Sequence, residues 1–150
     1  MKYFTLKEMT FSATAKNKQL ANSYTYQEQQ NIEEFVNNLL DSLRSDWTEY
    51  CITNNLGTGA IRVTSGFRNH LTNMLVNGSK TSAHLLGYAA DIVPSNGNMK
   101  EFQEFVVRWI KDKDFDQCII ERPINGIASW IHIGYKNKDN QQRKQIFTLV

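Results

Sequence analysis

The chain has 150 residues, of which 41% are hydrophobic and 21% are charged, and this length supports one domain with its own core. An aromatic share of 11% argues against wholesale disorder. The 17 Lys and Arg residues against 15 Asp and Glu residues give a net charge of +2, so we expect no nucleic-acid partner, because such proteins usually carry a concentrated basic face.

No targeting or membrane segment is predicted. The first residues lack an apolar stretch long enough for a signal peptide, and no run approaches the ~18 apolar residues of a membrane span. We therefore expect synthesis in the cytoplasm without a signal peptide, no membrane insertion, and a monomer with a single domain over residues 1–150. The two cysteines, Cys51 and Cys118, form no C-x-x-C pair, which favours reduced thiols in the core.

The N-terminal part of the chain predicts an arm followed by an amphipathic helix. Residues 1–26 become polar and turn-rich, and we expect them to form an arm that packs on the domain. A helix is predicted over residues 27–45, with Thr25 and Glu28 as a capping box at its start. Its apolar stripe recurs every three or four residues, at Ile32, Phe35, Val36, Leu39, Leu40, Leu43 and Trp47. This stripe is typical of core packing.

The rest of the chain alternates between strand and helix patterns. Predicted strands cover residues 60–65, 88–93, 117–121 and 129–135, with an edge strand at 145–150. Predicted helices cover residues 69–76 and 98–110. Residues 137–150 form a C-terminal tail. Because helices and strands mix without a regular βαβ alternation, we predict an α+β domain with a small antiparallel sheet and flanking helices.

The chain has only three histidines, so few combinations of side chains could form a metal site that uses histidine ligands. Of the three histidines, His70 is expected at the surface. His84 lies in a segment with several small residues, and His132 lies in a predicted strand with apolar neighbours. Asp91 follows His84 after a glycine-containing turn, and His132 shares a strand face with Trp130. Two imidazoles and a carboxylate can bind Zn²⁺ with water in the fourth position. Spacing alone leaves open a plain hydrogen-bonded His–Asp pair.

Four segments, in order, carry a resemblance to a known family. They are Thr64-Ser65-Gly66-Phe67-Arg68, Ser82-x-His84-x-x-Gly87-x-Ala89-x-Asp91, Asp116-Gln117-Cys118-Ile119-Ile120-Glu121 and Trp130-x-His132. Together they resemble the zinc D-alanyl-D-alanine carboxypeptidase family of peptidoglycan peptidases, which includes bacteriophage endolysins and shares a core fold with the hedgehog signalling domain. The third segment is similar to the short, phage-type branch. The resemblance covers about residues 1–136 and implies a hedgehog-like fold.

The resemblance implies a role for five side chains. His84, Asp91 and His132 match the three protein ligands of the zinc, whose fourth position would hold the water that attacks the peptide. Arg68 matches an arginine that meets a substrate carboxylate or carbonyl oxygen, although a surface salt bridge is the alternative. Ser82 matches a serine that hydrogen-bonds the substrate backbone, and it also suits an N-cap of the segment that carries His84.

One position departs from the family pattern. Many members carry a general-base glutamate three residues before the last ligand, His132, where this chain has Ser129. The nearest upstream carboxylate is Glu121, and the short branch keeps a glutamate there. If its strand neighbours that of His132, Glu121 becomes the candidate base. The alternative is an ion pair with Arg122 or Arg62.

The implied function is hydrolysis of peptidoglycan stem or cross-link peptides by attack of a zinc-bound water. The family contains D-Ala-D-Ala carboxypeptidases and endopeptidases, and the sequence does not distinguish them. The resemblance further implies endolysin-like lysis or remodelling at the bacterial cell wall after release from the cytoplasm, as for a phage-encoded enzyme. Because Ser129 replaces the usual acid, an inactive peptidoglycan-binding module or a phage structural module on the same fold is the alternative.

Overall fold

The computed structural model describes all 150 residues, and the chain begins with two short helices. These are α1 (Leu6–Thr10), capped by Thr5, and α2 (Ala13–Asn17), capped by Ser12. In both, the cap hydroxyl accepts a hydrogen bond from a first-turn backbone N–H. The polar composition of the arm gave no periodic pattern that could reveal such short helices. Met9 is fully buried and joins the arm to the core.

A long helical region follows the arm and supplies much of the core. It consists of α3 (Tyr26–Phe35), a π-helical segment (Val36–Leu40) and α4 (Asp41–Thr53). All seven residues of the predicted apolar stripe are buried, as expected. The predicted end near Ser45 is wrong, because the helix continues to Thr53. Trp47 and Cys51 keep the same buried face beyond Ser45, and this packing outweighs the weak helix propensity of the last turns.

The sheet contains five strands and is mostly antiparallel, which confirms the predicted α+β class. The remaining elements are β1 (Ile61–Ser65), α5 (His70–Leu75), a 3₁₀ turn (Ala83–Leu86), β2 (Ala89–Pro94), α6 (Met99–Ile110), β3 (Gln117–Glu121), β4 (Trp130–Gly134) and β5 (Gln145–Leu149). The strand order is β1-β2-β4-β3-β5. No helix is both long and apolar enough to cross a lipid bilayer.

The edge strand β5 departs from the predicted antiparallel sheet, because it pairs with β3 in parallel. In the register of β3 and β4, Gly134 lies opposite Gln117, so β4 ends where β3 begins. The tail then enters β5 at Gln145, which also lies beside Gln117. A strand that starts at the same end of the sheet as β3 must run in the same direction.

The two faces of the sheet have different environments, since successive side chains of a strand point to opposite faces. One face packs its apolar residues into the core with α4 and α6, and this set is Ala90, Ile92, Cys118, Ile131 and Ile133. Both cysteines are buried and free, as predicted. The opposite face carries Asp91 on β2, His132 on β4 and Glu121 on β3. The polar face therefore lies directly above a packed core.

A buried ion pair ties the C-terminal tail to the sheet. Asp116, just before β3, is only 2% exposed, and Arg143 donates to both of its carboxylate oxygens, from Nε to Oδ1 at 2.7 Å and from Nη2 to Oδ2 at 2.8 Å. The backbone N–H of Arg143 also donates to Oδ1, at 3.1 Å. This bidentate geometry fixes the segment that leads into β5.

We expect the substitution Arg143→Ala to lower the free energy of unfolding by about 2 kcal/mol, because it leaves the buried Asp116 carboxylate without its charged partner. Urea denaturation followed by circular dichroism measures this change. Arg62→Ala is the matched control, since Arg62 is exposed and forms no ion pair. An Arg143→Ala midpoint equal to that of the control would contradict the expectation.

Candidate metal centre

A tight turn brings His84 towards the sheet. Ser82 caps the 3₁₀ turn by accepting a hydrogen bond from the backbone N–H of His84, at 3.2 Å. Gly87 ends the turn in the left-handed region, with φ of 82°, which favours glycine. A Cβ atom on Gly87 would also lie 2.8 Å from the carbonyl oxygen of Glu28. The glycine of the motif therefore lets the chain reverse from His84 into β2.

The sheet register brings the other two predicted ligands together. Asp91 on β2 lies directly opposite His132 on β4, and the two share the polar face. Asp91 Oδ1 lies 3.0 Å from His132 Nδ1 and 3.4 Å from His84 Nε2. The three ligand atoms all lie within 4.8 Å of one another. Ligands of a tetrahedral zinc at 2.0–2.2 Å are separated by roughly 3.3–3.6 Å, so this arrangement fits the metal.

The tautomer of His84 also suits a metal. Its Nδ1 atom lies 2.7 Å from the carbonyl oxygen of Gly66, which can only accept, so Nδ1 carries the proton. Nε2 is then left with a free lone pair towards Asp91. A Cβ atom on Gly66 would lie 2.3 Å from the carbonyl oxygen of Met9, so only glycine fits here. The Ser65-Gly66 segment therefore orients a metal ligand as well as leading to Arg68.

Burial and mutual attraction set the charge states of this trio. His84 is 2% exposed and His132 is 9% exposed. Burial raises the pKa of Asp91, but the neighbouring His84 and His132 rings outweigh it and hold that pKa well below its usual range. Burial lowers the pKa of His84, against the opposing attraction of Asp91. A charged carboxylate beside a neutral imidazole is the protonation state that a divalent cation requires.

Arg68 and Ser82 lie beside the trio and touch each other. The guanidinium Nη2 of Arg68 lies 3.4 Å from Ser82 Oγ, and the backbone N–H of Arg68 donates to the carbonyl of His84 at 3.1 Å. Arg68 forms no ion pair, and its Nε is buried without a hydrogen-bond partner. Burial lowers the pKa of Arg68, against the attraction of Asp91 and Glu121, and the group stays cationic. The guanidinium of Arg68 therefore has N–H donors without a partner, and Arg68 does not form the surface salt bridge that was the alternative.

Glu121 lies on the same face as His132, at the end of the neighbouring strand. Glu121 pairs with Trp130 across β3 and β4, which makes it a diagonal neighbour of His132. It forms no ion pair with Arg122 or Arg62. Burial and the Asp91 carboxylate raise the pKa of Glu121, partly offset by His132, Arg122 and Arg68. Ser129, in contrast, donates its Oγ proton to the carbonyl of Arg122 at 2.7 Å and is already engaged.

These side chains line one cleft of about 660 Å³. Arg68, Ser82, His84, Asp91, Glu121 and His132 all contribute to its wall, whereas His70 is exposed and lies outside it. The other parts of the wall include the loop at residues 76–81 and the residues Trp130, Arg122, Arg143 and Leu149. Of these, the sequence pointed to Arg122, because the loop at residues 122–128 lies between the candidate base and the last ligand, but it did not predict residues 76–81, Arg143 or Leu149. Trp130 had a separate signal, its alternation with His132.

The comparison with known proteins agrees with this geometry. A family model described as Peptidase M15 matches residues 2–134, well over half of the chain and the whole trio. This chain belongs to the M15 peptidase family. M15 peptidases are zinc-dependent metallopeptidases, so the expected family and cofactor are confirmed. A search among curated proteins finds no match to this M15 peptidase.

Proposed function

We propose that this M15 peptidase hydrolyses stem or cross-link peptides of peptidoglycan, as a D-Ala-D-Ala carboxypeptidase or murein endopeptidase acting at the bacterial cell wall, in the manner of a phage-type endolysin. The observation that carries the proposal is a single cleft that unites a His-Asp-His trio, an unpaired arginine and a glutamate. A peptidase of this kind needs a cation site, a donor for the substrate and a base.

In this proposal His84, Asp91 and His132 hold the zinc. The fit rests on the His84 tautomer and on the two short separations from Asp91 Oδ1. Bound zinc acts as a Lewis acid on a peptide carbonyl and lowers the pKa of water towards neutrality. Gly66 orients His84 through its carbonyl, which holds the lone pair of Nε2 towards the site.

Glu121 serves as the general base, because the chain has Ser129 at the position where many family members carry the catalytic glutamate. A carboxylate oxygen of Glu121 accepts the proton of the attacking water and later returns it to the amine nitrogen of the leaving group. Its raised pKa suits this exchange, because a base with a pKa nearer neutrality both takes and releases a proton readily. Its position on β3 aims the side chain at the face that carries His132.

Arg68 and Ser82 bind and orient the substrate. The guanidinium of Arg68 donates to a substrate carboxylate or carbonyl oxygen, and its half-buried position strengthens that contact. Ser82 offers its hydroxyl to the substrate backbone while its oxygen caps the His84 turn. Both roles of Ser82 are compatible, since a hydroxyl has one donor and two acceptor sites.

Digestion of purified peptidoglycan tests the proposal. The zinc-loaded protein is expected to release new amino or carboxyl ends from murein, and mass spectrometry of the muropeptides identifies the bond that is cut. Chelation should abolish the release and added zinc should restore it. If no product forms with zinc present, the proposal fails, and an inactive binding module becomes the better account.

The alternative of a binding or structural module rests on Ser129, which cannot act as a base and is hydrogen-bonded to Arg122. Such a module would bind murein in a pull-down assay without cleaving it. The two functions therefore differ in the products of one digestion.

We expect the activity to fall as the pH decreases. Two effects act in the same direction: protons compete with the metal for His84 and His132, and Glu121 loses its basic form when it is protonated. Since the pKa of Glu121 is raised, protonation of this base begins to lower the enzyme's activity at a higher pH than it would for an ordinary glutamate. A kcat profile with parallel zinc analysis separates the two, and a flat profile from pH 4 to pH 8 would contradict the expectation.

A further inference from the structure

Arg122 occupies a strained backbone position at the edge of the cleft. Its φ is 44°, a left-handed conformation that a residue with a long side chain rarely adopts. Two hydrogen bonds hold it there, from its own N–H to the carbonyl of Leu149 at 2.7 Å and from Ser129 Oγ to its carbonyl at 2.7 Å. Backbone strain that the surroundings enforce is concentrated at functional sites.

The side chain of Arg122 is held over an aromatic ring and has no anionic partner. Its guanidinium lies 5.5 Å from the centre of the Trp130 ring, and no carboxylate forms an ion pair with it. Trp130 and Arg122 both line the cleft, and the indole Nε1 of Trp130 is buried without a partner. The pair therefore places a cation without an anionic partner at the wall of the cleft.

Arg122 and Arg68 flank the metal trio from opposite sides. Arg68 follows β1 and Arg122 follows β3, while Asp91 and His132 lie on the two strands between them. The strands β1 and β3 run in opposite directions, so the carboxyl ends that lead to Arg68 and Arg122 lie at opposite ends of the sheet. A peptide that contacts both arginines therefore has to extend across the metal trio.

We propose that Arg122, supported by Trp130, forms a second anion-binding subsite that takes a free carboxylate of the stem peptide, distinct from the group that Arg68 binds. The inference rests on the proposed function and deepens it. The substrate class is a peptide with carboxylates on both sides of the scissile bond. Peptidoglycan stems supply such groups on D-glutamate and on the diamino acid, and each is found either free or as a carboxamide.

Three synthetic stem pentapeptides test the subsite. The parent has both internal carboxylates free, the second has the D-glutamate carboxyl as a carboxamide, and the third has the diamino acid carboxyl as a carboxamide. Arg122→Gln is expected to lower kcat/KM about tenfold on the parent, because it removes a charged hydrogen bond. On one of the two amidated peptides the wild type and the variant should be equal. Arg62→Gln is the control with the same change of charge outside the cleft.

A binding measurement separates failure of the subsite from failure of the proposed function. Calorimetric titration of the metal-free wild type and Arg122→Gln with the same peptides reports affinity without turnover. If no peptide is cleaved, the proposed function fails, and a Kd that depends on both Arg122 and one carboxylate still supports the subsite. Equal losses on all three peptides, or no dependence on the carboxylates in either measurement, overturn the subsite.

Discussion

The substitution His84→Ala is expected to abolish both zinc binding and peptidase activity. His84 supplies one of three converging ligand atoms, and its ring is locked by the 2.7 Å contact with the carbonyl of Gly66. Loss of a partner that merely orients a ligand already costs 10–100-fold in metal affinity, so loss of the ligand itself should cost at least about 100-fold. Metal analysis after dialysis and murein digestion measure the two effects.

His70→Ala is the matched control for this experiment. His70 is exposed at the start of α5 and does not line the cleft, so its variant should keep full zinc and full activity. Far-UV circular dichroism checks that His84→Ala still folds, since His84 is almost fully buried. If folded His84→Ala retains stoichiometric zinc, His84 is not a ligand.

The substitution Glu121→Gln is expected to retain zinc and lose turnover by about 10²–10⁴-fold, the usual contribution of a general base. Glutamine keeps the shape of the side chain but cannot accept a proton. The trio of ligand atoms does not include Glu121, so metal binding should be unchanged. Steady-state kinetics on a stem peptide, with zinc analysis of the same sample, separates loss of the base from loss of the metal.

Glu104→Gln is the control for Glu121→Gln. Glu104 lies on α6 in an exposed pair with Lys100, and surface pairs of this kind contribute little. The control should match the wild type in kcat. An active Glu121→Gln enzyme would show that another group accepts the proton, and restoration of activity by the further change Ser129→Glu would point to the family's more common position.

Local pattern was sufficient to predict much of the framework. The apolar stripe from Ile32 to Trp47 repeats with the period of a helix, and every one of its members is buried. The alternation at residues 129–135 likewise placed His132 and Trp130 on one strand face, which the register of β4 confirms. Such periodicities report which side of an element meets the core, and this information is local in sequence.

Motif resemblance, rather than spacing, identifies His84, Asp91 and His132 as candidate ligands. Asp91 lies seven positions after His84 and His132 lies forty-one positions after Asp91, and no rule of sequence distance predicts that these side chains converge. Their convergence depends on the Gly87 turn and on the pairing of β2 with β4.

Features made by long-range contacts were decided by the tertiary structure alone. The helix runs past Ser45 because Cys51 finds a place in the core, and β5 is parallel because β4 ends where β3 begins. The strained position of Arg122 likewise depends on Leu149, which is distant in sequence. The sequence by itself therefore determined the class of the domain and the candidates for its chemistry. Only the fold decided which of these side chains share a cleft, because hydrogen bonds and packing between distant segments leave no periodic pattern in the amino-acid sequence.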